Sequence, residues 1–337
     1  MFDDADRATG RRSFGLVIPT HRRPKLVLQA VDSALRQIRP FDRVIVVPDG
    51  LDDPAIEALA GVPVELVPIV HAGVAAARNA GLARATTDWV CFLDDDDLLH
   101  PDYLARVEQA VEVVPERAAL STWYWSFAET SGPDDEITGR TLDDCLAAAA
   151  DAVPRRDMSY LDIEGRSFDL LLERLRGSMS TAAVRRDVLV LAGGFPNGMT
   201  TAEDWVMYVN VARLTEWHTI AERLAFFRDH AGTNTRTGSP ANGLTTLRAI
   251  RSFWEPSELP TPPHRPLDAY RTEYRHVLGW ALAAAAAHRD AASYREALEL
   301  ARAVLPRRSD RLRASVPGSV RDRLRRARRL TSKRGDR

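Results

Sequence analysis

Four consecutive aspartates, Asp94-Asp95-Asp96-Asp97, follow directly on an apolar run, Trp89 to Leu93. Adjacent carboxylates repel one another, so each raises its neighbours' pKa and full ionisation is disfavoured unless a cation shares the charge. Hard oxygen donors at that density suit Mg²⁺ or Mn²⁺, and Mg²⁺ is usually held by one or two carboxylates together with substrate phosphates. The run therefore points to a metal ion plus a phosphorylated ligand. It is also what an ordinary solvated turn looks like, and charge alone does not separate the two. Upstream, Arg78 and Asn79 stand out in a stretch of mostly Ala, Gly and Val. An arginine reaching over a strand end could offer its fixed fork of donors to phosphate or base oxygens, or be one more surface arginine in an arginine-rich chain.

The elements that must position these residues alternate along the first hundred positions. Ser13 to Pro19 is a short apolar run closed by proline, and the helix after it places Val27, Ala30, Val31, Ala34, Leu35 and Ile38 on one face. Arg43 to Val47 and Val64 to Ile69 are a second and third strand, with a helix over Pro54 to Leu59 between them. Trp89 to Leu93 is the fourth, followed by a helix over Pro101 to Val114. Such alternation implies parallel βαβ units with right-handed crossovers, half of a doubly wound sheet. Ligands bind such sheets at the carboxyl ends of the strands. The loops that converge there are Thr20-His21-Arg22-Arg23, Pro48 to Asp53 and the acidic run.

Beyond residue 115 the pattern is more varied. Ala118 to Phe127 has aromatics at alternating positions, the makeup of a strand lining a pocket; a sugar's apolar face stacks on Trp or Tyr, and core packing accounts for the same residues. Glu129 to Glu164 is polar with a helical stretch, Leu142 to Val153, inside it, and is read as an insertion or lid. Regular structure resumes at Gly177 to Arg185. After Gly193-Gly194-Phe195, a helix over 201–214 opens on Glu203-Asp204, with Thr200 or Thr201 as its expected cap. Leu224 to Arg228 is a further strand, running into His230.

The pattern Ala77-Arg78-Asn79-x-Gly81, then Phe92-Leu93-Asp94-Asp95-Asp96-Asp97, then Pro101-Asp102-x-Leu104, resembles the inverting, metal-dependent GT-A glycosyltransferases of family 2. The resemblance covers roughly residues 13–235. It implies an α/β GT-A fold, a Rossmann-like and mostly parallel sheet with helices on both faces, here with a C-terminal helical extension. It implies donor-nucleotide contacts from Pro19, Thr20, Arg22, Asp49, Arg78, Asp94 and Asp95. It places Mn²⁺ or Mg²⁺ on Asp96 with His230, and the catalytic carboxylates at Glu203 and Asp204, Asp204 being the general base. One departure bears on the nucleobase: Pro48 stands where the family has a leading aspartate, and proline has no side-chain acceptor. Asp49 is the substitute, and a UDP-sugar is the favoured donor, with the base left open.

The segments implied are a tail over 1–12, a nucleotide-sugar half over 13–127, an insertion over 128–176 and an acceptor and base half over 177–237, then a linker with helical extension over 238–305 and a basic tail over 306–337. Composition is that of a globular protein, 45% hydrophobic and 28% charged over 337 residues with a formal net charge of −1. That near-zero charge hides a tail in which thirteen Arg/Lys face three Asp. Such a tail is either a basic helix for an anionic membrane surface or a solvated segment. No aromatic accompanies the arginines, so nucleic acid is not expected as a partner. Two cysteines, Cys91 and Cys145, make no disulfide framework and fit a reducing cytoplasm. The N-terminus lacks an apolar signal region and no apolar run is long enough to span a bilayer, so the catalytic part is expected to be soluble. The expected activity is transfer of a sugar to a hydroxyl of a glycan or lipid-linked acceptor in surface polysaccharide biosynthesis. Two alternatives stay open: a nucleotidyltransferase-like enzyme, and a module that binds nucleotide or glycan without turnover.

Overall fold

A run that is apolar on both faces belongs inside a parallel sheet covered by helices, and β1 (Phe14–Thr20) is buried at every position. The computed structural model describes residues 11–128, 140–150, 157–229 and 238–314. From β1 the chain runs through α1 (Pro24–Leu35), β2 (Arg43–Pro48), α2 (Ala55–Ala58), β3 (Glu65–Leu66), α3 (Val74–Arg84), β4 (Trp89–Phe92), β5 (Leu98–Leu99), α4 (Tyr103–Val113) and β6 (Ala119–Ala128). It continues through α5 (Leu142–Ala150), α6 (Ser167–Glu173), β7 (Ala183–Arg185), α7 (Arg186–Leu191), α8 (Glu203–Ala212) and β8 (Trp217–Asp229). Four further helices are α9 (Pro240–Ser252), α10 (Arg271–Ala287), α11 (Ala291–Val304) and α12 (Arg308–Ala314).

The eight strands form one sheet in the order β3-β2-β1-β4-β7-β6-β8-β5. The expected parallel half is β3-β2-β1-β4, with Leu16 opposite Val44 on one side and Cys91 on the other. β7 then enters antiparallel to both β4 and β6, β8 runs parallel to β6, and β5 is antiparallel to β8. The third strand is shorter than the expected Val64 to Ile69: the Val67 and Ile69 N–H groups still donate to the Val46 and Pro48 carbonyls, but Pro48 has no N–H to return a bond, and pairing resumes only as an isolated bridge between Asp49 and Ile69. Gly177 to Arg185 is likewise split, into a 3₁₀ turn at Met179–Thr181 and the short β7.

Helix α3 lies close on the sheet, and its small residues are the reason. A Cβ at Gly81 would fall 2.3 Å from Val17 Cγ1 in β1, so no larger residue fits there. This contact sets the height of Arg78, one turn earlier, above the strand ends. The core beneath gathers Leu16, Ile18, Val46, Trp89, Tyr103, Leu104 and Val107, all nearly inaccessible.

Helices α9 to α12 make a second compact unit of their own, in which α10 and α11 of the expected helical extension form a hairpin. Asp290 caps α11, its side chain accepting from the N–H groups of Ala292 and Ser293. Helix α9 was not foreseen; its start, Ser239-Pro240, carries proline at the first helical position. Among the described residues no helix is long and apolar enough to cross a membrane.

Candidate active site

The chain turns immediately after β4, so the aspartates of the acidic run point to different surroundings, with Arg23 and Ser180 each serving two of them. Asp94 Oδ1 accepts from Arg78 Nη2 at 2.6 Å, and its backbone N–H donates to Ser180 Oγ. Asp95 accepts from Thr20 Oγ1 at 2.8 Å and from Arg23 Nη1 at 2.9 Å, and the same Arg23 nitrogen reaches Asp96 Oδ2 at 2.9 Å. Asp97, only 1% exposed, accepts from Ser180 Oγ at 2.6 Å and from the Arg228 N–H at 2.9 Å. The last aspartate is thus a buried fastening between β8 and the turn, while Asp94 and Asp96 stay partly open.

The electrostatics follow from this crowding. Burial raises the pKa of Asp94 and Asp97 and pushes Asp95 up to about 6, and the charge of Asp96 adds to all three. Asp96 is therefore the carboxylate whose neutralisation relieves the whole run. The donor set is entirely oxygen, which fits a hard divalent cation. A second group that could hold a metal lies at the ends of β1 and β2, where ligand atoms of His21, Asp49 and His71 fall within 4.8 Å of one another. Two imidazoles and one carboxylate suit a softer transition metal.

Arg78 joins the acidic run to the other half of the sequence. Its guanidinium, 4% exposed, donates to Asp94 and, through Nη1, to Glu203 Oε1 at 2.7 Å. Glu203 and Asp204 open α8, which is seated by Trp205 Nε1 donating to the Leu171 carbonyl and by Tyr208 stacking on Trp217 with ring centroids 4.1 Å apart. The expected threonine cap is not formed. Ala202, at φ 64°, precedes the helix, Thr200 Oγ1 lies 3.2 Å from Thr245 Oγ1, and Asp204 Oδ1 itself accepts from the Trp205 N–H. Asp204 is half-buried, and desolvation together with the charge of Glu203 raises its pKa to about 7 against the opposing pull of Arg78. Asn79 braces the arrangement: its side chain donates to the Phe195 carbonyl and accepts from the Phe195 N–H. The Gly193-Gly194 turn before Phe195 has φ values of 88° and 63°, and a Cβ at Gly194 would sit 2.7 Å from Asn79 Oδ1.

The remaining expected residues fall into two places. Thr20 joins the acidic run, whereas Pro19 is buried in β1 with no side-chain donor or acceptor to offer. Arg22 is exposed at φ 54°, its N–H on Asp53 and its guanidinium on Asp52. The carboxylate oxygens of Asp49 accept the N–H groups of Ala72 and Gly73 at 2.8 and 2.9 Å, which fixes the loop leading into α3. His230 lies outside the described residues, as do 315–337 of the basic tail.

Three residues of the network were not singled out from the sequence: Arg23, Ser180 and Arg228. Ser180 was hidden in a short polar turn, where Ser178 and Thr181 form a capping box without the usual Glu or Gln. Ser180→Ala would leave buried Asp97 without its hydroxyl donor, and hydrogen bonds to charged groups contribute about 1.5–3 kcal/mol. Urea unfolding should show a loss in that range; no measurable change would mean that Asp97 finds another donor.

Residues 16–143 match the model of the family described as Glycosyl transferase family 2. Those residues are a family 2 glycosyltransferase domain. The domain begins within β1 and ends in α5, so it contains the acidic run and Arg78. A succinoglycan biosynthesis protein, ExoO of Rhizobium meliloti, is 29% identical over 108 residues, 31% of each chain. The matched stretch thus spans about a third of the length of that relative. The family 2 domain and the elements after it also share a fold with solved structures. S. aureus TarS 1–349 in complex with UDP-GlcNAc gives a TM-score of 0.56 at 15% identity, over 87% of this chain and 81% of that one. The mannosyltransferase PcManGT of Pyrobaculum calidifontis, in complex with GDP-Man and Mn²⁺, gives 0.54 at 19% identity, over 90% and 84%. The fold is GT-A.

Proposed function

We propose that this chain is an inverting glycosyltransferase that moves a sugar from a nucleotide-sugar to a hydroxyl of a growing glycan. The observation that carries the reading is the Arg78 bridge, which brings Glu203-Asp204 up to the acidic run. Inverting transfer needs a base on the face of the donor sugar opposite the leaving diphosphate, and hence two carboxylate groups from different segments. The bridge also separates the roles of the pair. Glu203 is held by the Arg78 guanidinium and positions α8. Asp204, with its pKa near neutrality, takes the proton of the acceptor hydroxyl.

Asp96, with Asp94 beside it, would hold Mn²⁺ or Mg²⁺; the bound cation supplies charge neutralisation for the departing diphosphate. Thr20 and Arg23 keep Asp95 fixed and so set the floor of that site. The transfer of sugar in polysaccharide biosynthesis is supported by the relative named for succinoglycan, and the nucleotide-sugar by the two neighbours that bind UDP-GlcNAc and GDP-Man.

The nucleobase is the part least fixed by kinship, because Pro48 offers no acceptor and Asp49 already accepts two backbone N–H groups. Calorimetric titration with UDP, GDP and dTDP, each with and without Mn²⁺, tests the reading. Binding of one nucleotide that requires the cation is the expected result. No binding of any of them, with or without Mn²⁺, would refute it.

A further inference from the structure

Strand β6 is used on both of its faces. Tyr124 points to one, where its hydroxyl meets that of Tyr160 at 3.1 Å. Trp123 and Trp125 point to the other, as period-2 alternation requires, and both rings lie under one cation: Arg223 Cζ is 5.8 Å from the Trp123 centroid and 5.0 Å from that of Trp125. The two indoles line a cavity of about 500 Å³ together with His100, Leu146, Glu222 and Arg223.

The backbone is deformed where this cavity opens. Thr122 pairs with Ile220, Trp123 with Arg223 and Tyr124 with Ala225, so β8 carries extra residues, Ala221, Glu222 and Leu224, within three positions of β6. All three line the cavity. Bulges of this kind re-aim side chains and recur beside binding sites. Trp123 Nε1 is buried and has no hydrogen-bond partner among the described residues.

We propose that Trp123, Trp125 and Arg223 form a carbohydrate-binding groove, distinct from the transfer site, that holds a stretch of the glycan chain. The inference rests on the glycosyltransferase reading for its choice of occupant. A sugar ring presents apolar C–H faces and a polar rim. The indoles supply flat apolar area, and polar groups rim it: Arg223, which also donates to the Tyr124 carbonyl, Glu222, which is paired with Arg106, and His100. None of the residues lining the groove belongs to the network of Arg78, the acidic run and Glu203-Asp204, so occupancy would retain a polymer while leaving Asp204 free to turn over.

Affinity electrophoresis tests this with the full chain run through native gels containing dextran, hydroxyethylcellulose, galactomannan or xanthan. Retardation by at least one of these is expected. Trp125→Ala and Arg223→Gln should each weaken it about tenfold or more, with far-ultraviolet circular dichroism unchanged, while Asp204→Asn should leave it intact. Two variants are used so that a folding failure in one does not end the test. No retardation in any gel, or retardation that both variants leave unchanged, overturns the groove. Metal-dependent nucleotide binding without retardation sinks this inference alone. Retardation lost in both groove variants, without nucleotide binding, sinks the transferase reading and leaves a glycan-binding module.

Discussion

Asp204→Asn should bind nucleotide as the wild type does and transfer almost no sugar. A positioned general base contributes roughly 10²–10⁴-fold to rate, so a fall in kcat of that size is expected, with the nucleotide Kd unchanged within about twofold. Asparagine keeps the side-chain oxygen that accepts from the Trp205 N–H, so the first turn of α8 is preserved. Only the capacity to take a proton is lost. Transfer at the wild-type rate would remove Asp204 from the mechanism.

The same substitution has a stability signature of opposite sign. In the folded state Asp204 titrates at about 7, against 3.8 for an ordinary aspartate. Between those values the folded protein holds a proton that the unfolded chain has released. Stability from this group is therefore greatest below pH 3.8 and falls as pH rises through 7. Removing the charge should make Asp204→Asn more stable than wild type at pH 8 by about 2–4 kcal/mol, with little difference at pH 4. An active site that is less stable for being reactive is the expected trade. In the wild type, kcat/KM should fall below pH 7 along a single-proton limb that the variant's residual activity lacks; the same limb in the variant would assign it to another group.

Which of these features could be read from the sequence depended on range. The parallel half of the sheet was legible because β1, β2 and β4 are buried apolar runs broken by turn residues, a local signal. The early end of the third strand was legible in principle from Pro48, which has no N–H to give to a neighbouring strand. The network around the acidic run was not, because its contacts join residues far apart: Arg78 and Glu203 are 125 positions apart, Arg228 and Asp97 131. No spacing rule connects such residues, and only the resemblance placed Glu203-Asp204 beside the aspartates. Arg228 did leave a trace, as a charged residue closing an apolar strand, since at 1% exposure it needs partners such as the Asp96 carbonyl. The threonine cap failed for a physical reason: capping preference is weak beside the constraint that seats Trp205 and Glu203, and the chain meets that constraint through a left-handed Ala202.

Arg78→Met should be the most damaging single change apart from substitution of the proposed base, Asp204. Arg78 is the cation shared by Asp94 and Glu203; Glu203, its side chain 8% exposed, has little solvent to turn to, whereas Asp94, at 30%, stays partly open. Breaking a buried pair by removing one partner typically costs 3–5 kcal/mol, because an uncompensated charge remains. A fall in Tm on the order of 10 °C at pH 7.5 is expected, smaller at pH 5, where the stranded carboxylates take up protons. The outcome for activity is separable from that for stability. Adding Glu203→Met to Arg78→Met removes the charge left behind in α8, and apolar replacements of similar volume often restore what a broken ion pair loses. The double variant should therefore recover much of its stability and none of its transfer, because nothing then ties Asp204 to the acidic run. Recovery of both would reduce the bridge to a structural device and leave Asp204 positioned by α8 alone.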